Sequence, residues 1–146
     1  LAYVKNLIKS RKDAKAVLNE ADPTPNDGVK LEGRLFMEKI YALMDSHIAD
    51  SGFKVEAFGQ SIGLSRVQLY RRIKEQTGYS PNELLRVYRL QKAKKLLSTT
   101  DLAVAEIAYR VGFSSPAYFT KCYREFYKEL PTAFLKRMAL KNEDSL

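Results

Sequence analysis

Apolar residues recur at helical spacing along nearly all of residues 34–138, and glycine, serine and proline interrupt the pattern at short intervals. Apolar positions three and four residues apart are typical of helices that bury one face. No stretch alternates apolar and polar residues between hairpin signals, as a half-buried strand would. The pattern therefore predicts an all-α domain over residues 34–138.

A shorter helical pattern precedes this domain. Residues 1–20 have an apolar side that includes Val4, Leu7 and Leu18. Residues 22–28 then combine two prolines, two aspartates, an asparagine and a glycine, as a turn-rich linker does. The predicted organisation is an N-terminal linker helix and its linker over residues 1–33, the all-α domain over 34–138, and a C-terminal tail over 139–146.

The domain contains an internal repeat. Two segments match at an offset of 49 residues as far as Ser65, and at an offset of 50 residues beyond it. The matched pairs include Val55 with Val104, Phe58 with Ile107, Gly63 with Gly112, Leu69 with Phe119 and Ile73 with Tyr123. Two copies are too few for a solenoid, so one supersecondary unit is used twice.

Each copy has the residue pattern of a helix-turn-helix. A short helix ends at Gly63 or Gly112, where a left-handed backbone costs little. A serine then precedes the second helix and can accept from its free N–H groups. Two short helices joined by a glycine-containing turn form a helix-turn-helix, so we predict recognition helices over about residues 65–77 and 116–127.

A long connecting helix is predicted between the two copies. Ser80 and Glu83 form a capping box around a proline at the first helical position. The apolar side of this helix carries Leu85, Leu90, Ala93, Leu96 and Leu97, and the outside carries Lys92, Lys94 and Lys95. Arg86 and Arg89 fall within the apolar arc, so we expect their stems to pack while their heads reach water or a partner.

The second helix of each copy presents an outward face without an acidic residue. The two faces comprise Val67, Tyr70, Arg71 and Lys74, and then Ala117, Thr120, Lys121 and Arg124. A helix fits the major groove of DNA, where arginine bridges guanine O6 and N7 and an apolar side chain contacts a thymine methyl. Two such faces at repeat-equivalent positions indicate sequence-specific binding of double-stranded DNA.

Composition agrees with a polyanionic partner. The chain has 25 Lys and Arg against 17 Asp and Glu, which gives a net charge of +8, and most of that excess lies in residues 34–146. The single cysteine, Cys122, excludes an internal disulfide, and the single histidine, His47, leaves no zinc constellation. Without a phosphate-binding loop or a nucleophile motif, we expect no enzyme activity, no cofactor and no metal.

Two other classes of protein stay open at this point. The first is a helical protein-interaction domain whose basic faces bind an acidic partner. The second, more distant, is an enzyme that processes nucleic acids.

Four stretches of the sequence resemble the AraC/XylS DNA-binding domain, namely residues 65–78, 89–97, 107–114 and 118–123. The resemblance implies a transcription regulator whose two helix-turn-helix units sit on a connecting helix and enter successive major-groove segments of one DNA face. By position, the family's base-reading sites fall on Val67, Tyr70, Arg71, Ala117, Tyr118 and Lys121. Phosphate contacts are expected from Ser65, Arg66, Gln68, Lys74, Ser114, Ser115, Thr120 and Arg124.

The sequence departs from the family's pattern at residues 127–131. Here a Tyr-Lys-Glu-Leu-Pro stretch lacks both the glycine that ends the recognition helix and the threonine that caps the next one. A residue other than glycine in a left-handed cap costs about 1 kcal/mol. The helix predicted over residues 132–138 is therefore the least supported element of the fold.

Residues 3–12 resemble the last helix of a response-regulator receiver domain. The resemblance implies the output domain of a bacterial hybrid two-component protein, with a receiver domain upstream; a generic amphipathic linker helix is the alternative. Because the chain starts at Leu1 without a signal peptide, we expect a fragment of a longer cytoplasmic or membrane-anchored protein. RNA polymerase and a second copy of the chain are the candidate protein partners.

Overall fold

The computed structural model describes residues 27–144, and the predicted helix within residues 1–20 lies outside this range. The described residues form seven α-helices and no strand, which confirms the all-α prediction. The helices are α1 (Asp27–Ser46), α2 (Glu56–Ile62), α3 (Arg66–Thr77), α4 (Pro81–Thr99), α5 (Val104–Arg110), α6 (Pro116–Tyr127) and α7 (Pro131–Asp144).

The chain divides into two compact units, and each contains one copy of the repeat. Of the described residues, the first unit comprises 27–47 together with Phe53–Arg86, and the second comprises Ile48–Gly52 and 87–144. Helices α2 and α3 therefore belong to the first unit, and α5 and α6 belong to the second.

Helix α1 begins earlier than the sequence pattern indicated. Asp27 and Gly28, the last two residues of the linker predicted over 22–28, are already helical. A glycine in a helix, such as Gly28, costs about 1 kcal/mol relative to alanine. Burial of apolar side chains further along α1 offsets this cost. The buried apolar side chains of α1 are those of Phe36, Met37, Ile40, Tyr41 and Met44.

Helix α1 ends at Ser46. The Ser46 hydroxyl donates to the Ala42 carbonyl at 2.9 Å, and His47 Nδ1 lies 3.0 Å from the Leu43 carbonyl oxygen. Side chains thus occupy carbonyls of the last turn, as they commonly do where a helix stops.

Helix α4 is buried on more sides than one apolar arc would give. Its capping box is confirmed, since Ser80 N donates to Glu83 Oε2 at 3.1 Å and Glu83 N donates to Ser80 Oγ at 3.3 Å. Five consecutive residues, 87–91, are buried, so every face of that turn packs against protein. Of the lysines predicted to lie outside, Lys95 is exposed, but Lys92 and Lys94 are half-buried.

The prediction for Arg89 was wrong. Its guanidinium does not reach water or a partner: the residue is buried, and its Nη2 donates to the Asp50 carbonyl at 2.8 Å. Burial lowers the pKa of the Arg89 guanidinium, and the charge of Asp50 partly opposes this shift. The loop at residues 48–52 covers this arginine, and periodicity along α4 cannot show a loop that lies 39 residues away.

The second unit has a core of aromatic and aliphatic residues. Its buried members are Leu90, Ala93, Leu97, Ile107, Ala108, Val111, Phe113, Phe119, Cys122, Tyr123 and Phe134. Helix α7 extends past the predicted end at 138 to Asp144, and Arg137 Nη2 donates to Glu129 Oε1 at 2.8 Å beside its first turn. Cys122 is a free thiol and one of the smaller buried members of this core.

Candidate nucleic-acid interface

The turn before α3 is held by backbone and side-chain hydrogen bonds. Gly63 has a φ of 73°, and Leu64 N donates to the Gly59 carbonyl at 2.8 Å. Ser65 Oγ accepts from Gln68 N at 3.2 Å, while Gln68 Oε1 accepts from Ser65 N at 2.9 Å. This capping box fixes where α3 begins and confirms the predicted role of the serine.

Helix α3 turns its apolar side inward and its predicted base-reading side outward. Leu69 and Ile73 are buried. Arg71 and Lys74 are exposed, and so are Val67 and Tyr70, whose exposed fractions are 75% and 51%. The structure therefore leaves this face open to a partner.

The turn before α6 has the same elements: a left-handed glycine, a backbone hydrogen bond and a serine cap. Gly112 has a φ of 93°, and Phe113 N donates to the Ala108 carbonyl at 3.0 Å. Ser115 Oγ accepts from Tyr118 N at 3.1 Å, so this serine caps α6 as predicted.

Helix α6 carries the second face. Phe119 and Tyr123 are fully buried, and the outward residues Ala117, Tyr118, Lys121 and Arg124 are exposed, while Thr120 is half-buried. The ring of Tyr118 lies 5.8 Å from that of Phe113, centroid to centroid, at an angle of 58°. Because of this contact, the Tyr118 side chain is more restrained than a fully solvated tyrosine.

Several residues predicted to contact phosphate also have structural roles. Ser65, Gln68 and Ser115 take part in helix caps. A serine that accepts in a cap keeps its hydroxyl proton, and a glutamine that accepts keeps two N–H donors. Arg66 and Ser114 are exposed beside them. These groups lie at the starts of α3 and α6 and are able to donate to an anion.

Helices α3 and α6 end in the same left-handed conformation with different residues. Gly78 ends α3 with a φ of 78°, and Lys128 ends α6 with a φ of 62°. In each case the N–H of this residue donates to the carbonyl four residues earlier, at 2.8 Å. The missing glycine noted in the sequence is thus replaced by a lysine that adopts the strained backbone itself.

Between residues 27 and 144, no three His, Cys, Asp or Glu side chains are grouped so as to hold a metal ion. None of the helices in that same part of the chain has both the length and the apolar character to cross a membrane.

Comparison with known proteins places these features in a family. The family model described as a helix-turn-helix domain matches residues 59–137. A protein named Histidine kinase P4, from Formosa agariphila, is 33% identical over 136 residues, which cover 92% of this chain and 10% of that relative. The chain therefore spans about a tenth of the length of this curated relative.

Solved structures agree in fold. The C-terminal domain of the two-component response regulator yesN from Fusobacterium nucleatum is 30% identical, with a TM-score of 0.62 over 68% of this chain and 96% of that one. The DNA-binding domain of the global transcriptional factor AdpA, crystallised with a target DNA, is 28% identical, with a TM-score of 0.66 over 72% of this chain and 93% of that one. Since the family model covers more than half of its residues, this chain belongs to the AraC/XylS-type helix-turn-helix family.

Proposed function

We propose that this domain regulates transcription by inserting α3 and α6 into successive major-groove segments on one face of double-stranded DNA. The observation that carries the proposal is the repeated arrangement of a left-handed glycine, a serine cap and an exposed, cation-bearing helix face. The similar AdpA domain, which was crystallised with a target DNA, supports the same kind of partner.

Within this proposal the two helices divide the base contacts. Arg71 presents a planar fork that can hold a guanine edge with two hydrogen bonds, and Val67 and Tyr70 flank it with apolar and aromatic surface. In α6, Lys121 presents a mobile point charge beside the small Ala117, and Tyr118 is the remaining base-reading candidate. The first helix therefore supplies more of the sequence discrimination.

The phosphate contacts of the proposal surround these positions. They come from Ser65, Arg66, Gln68, Lys74, Ser114, Ser115, Thr120 and Arg124. Each neutralised phosphate adds about −0.9 to the slope of log K against log salt concentration, so binding must weaken steeply as salt is raised.

The proposal is tested by selecting a preferred site from a random oligonucleotide pool and measuring affinity on its single-base variants. Arg71→Ala is expected to cost about 1–3 kcal/mol and to relax preference at one base position. Lys121→Ala is expected to weaken binding more evenly across sequences. The positions affected by the two changes should lie about 10 base pairs apart.

Three results would contradict this function. The first is a salt slope near zero on the selected DNA. The second is relaxed specificity with Lys121→Ala but not with Arg71→Ala, which would reverse the roles. The third is binding to an acidic protein without any binding to DNA.

We further infer that the domain is the output part of a longer two-component regulator in the cytoplasm. Support comes from the length of the histidine kinase relative and from the similarity to a response-regulator C-terminal domain. An upstream receiver domain, RNA polymerase and a second copy of the chain are the proposed protein partners. Sequencing the whole gene tests the first of these, since an upstream region without an acceptor aspartate would exclude a receiver.

A further inference from the structure

Arg72 follows Arg71 in α3 but has a different environment. Its guanidinium carbon lies 4.1 Å from the centroid of the Phe36 ring, and its Nη2 lies 3.9 Å from Glu32 Oε1. Both partners belong to α1, and Phe36 is buried. The Arg72 side chain is 32% exposed, so this cation packs against α1 and leaves the outward face to its neighbour.

A second contact joins the same two helices one turn further along. Gly33 is buried in α1, and a Cβ built on it would lie 2.5 Å from Nε2 of Gln76. The Gln76 amide thus rests directly on the backbone of α1. Because Arg72 and Gln76 are four residues apart, they lie on one side of α3, and that side is in contact with α1.

We propose that Arg72 is a positioning residue, which fixes the rotation of α3 about its own axis and so aims Arg71 and Tyr70 at the base edges. Successive residues of a helix point about 100° apart, so anchoring Arg72 to α1 sets the direction of Arg71. Functional side chains need to be held within about 0.5 Å and 10–20° to act. The inference rests on the proposed base-reading role of α3.

The test compares two substitutions of Arg72 with a matched control. Arg72→Met keeps an unbranched stem over Phe36 but removes the charge and the planar face, and Arg72→Lys keeps the stem and the charge but removes the planar guanidinium. Arg34→Ala removes one positive charge from an exposed position of α1. Affinity for the selected site and for random DNA is measured at several salt concentrations, with urea unfolding in parallel to ensure that each variant is folded.

We expect Arg72→Met to reduce the preference for the selected site over random DNA by about tenfold. A tenfold change corresponds to the free energy of a partly desolvated contact between a cation and an aromatic ring. Arg72→Lys should recover part of this loss, because a lysine can also interact with the ring. The salt slope should stay at the wild-type value in both variants, since a positioning residue neutralises no phosphate. Arg34→Ala should leave the preference unchanged.

Two outcomes would overturn the inference. A salt slope smaller by about 0.9 in Arg72→Met would show that Arg72 contacts phosphate directly. Lower stability with an unchanged preference in the folded protein would show a purely structural role. Arg71→Ala in the same series separates this inference from the proposed function. If that change leaves sequence preference intact, α3 does not read bases; if only the Arg72 variants are without effect, the positioning role alone fails.

Discussion

The two repeat-equivalent glycines, Gly63 and Gly112, should respond very differently to the same substitution. Both have positive φ angles, of 73° and 93°, so alanine at either site adopts a left-handed backbone. That conformation costs about 1–2 kcal/mol of stability. Alanine also reduces the conformational entropy of the unfolded chain, which offsets about 0.4–1 kcal/mol of this cost. Around Gly63 a new Cβ would meet nothing within 4 Å. Gly63→Ala should therefore destabilise the protein by only about 1 kcal/mol.

The surroundings of Gly112 are much tighter. A Cβ there would overlap the Ile48 carbonyl oxygen and lie 2.8 Å from Arg89 Nε. The backbone at Ile48 must then move, and the hydrogen bond from Arg89 to the Asp50 carbonyl is strained or lost. Overpacking costs about 1–3 kcal/mol, and a hydrogen bond to a charged group contributes about 1.5–3 kcal/mol. We expect Gly112→Ala to cost about 3–5 kcal/mol in all, a large part of the stability of an ordinary domain.

Urea unfolding followed by circular dichroism measures the total effect, and hydrogen exchange resolves it for each turn. The Leu64 and Phe113 amides are hydrogen-bonded across the two turns, at 2.8 and 3.0 Å. Gly63→Ala should speed exchange at Leu64 about fivefold, and Gly112→Ala should speed exchange at Phe113 by about two orders of magnitude or more. Adding Arg89→Met should cost less in the Gly112→Ala background than in wild type, because the two sites are in contact. Equal losses from the two alanine variants would refute this reasoning.

Three smaller predictions concern stability. Lys128→Gly should stabilise the protein by up to about 1 kcal/mol in urea unfolding, because it relieves a left-handed backbone; a loss of stability would contradict the strain assigned to that cap. Burial raises the pKa of Tyr123 and of Tyr127 above their ordinary value. The free energy of unfolding should therefore stay constant with respect to these groups below about pH 10. Above that pH it should fall by up to about 1.4 kcal/mol per pH unit for each tyrosine. A flat profile under alkaline urea unfolding would count against this burial. Gly33→Ala should change thermal stability little or raise it slightly, because only the flexible end of Gln76 must move and alanine favours the helix; a large loss would show that the close contact is rigid.

Local sequence determined much of this protein. The helical periods, the two glycine turns and the caps at Ser65, Ser80 and Ser115 follow from side chains within a few residues of one another, so they could be predicted without a fold. The outward positions of α3 and α6 follow from the same periods. Even the strained end at Lys128 was foreseeable, because no glycine stands where the helix must stop.

Tertiary structure decided which of the similar positions are covered. Arg71 and Arg72 are adjacent arginines, yet only Arg72 is drawn onto α1, because Phe36 and Glu32 lie on that side of α3. Gly63 and Gly112 match in the repeat, yet only Gly112 lies beneath another part of the chain. Helix periodicity gives the direction of each side chain from its own axis but not what lies in that direction. The loop over Arg89 is 39 residues away along the sequence, and only the packing of distant segments brings the two together.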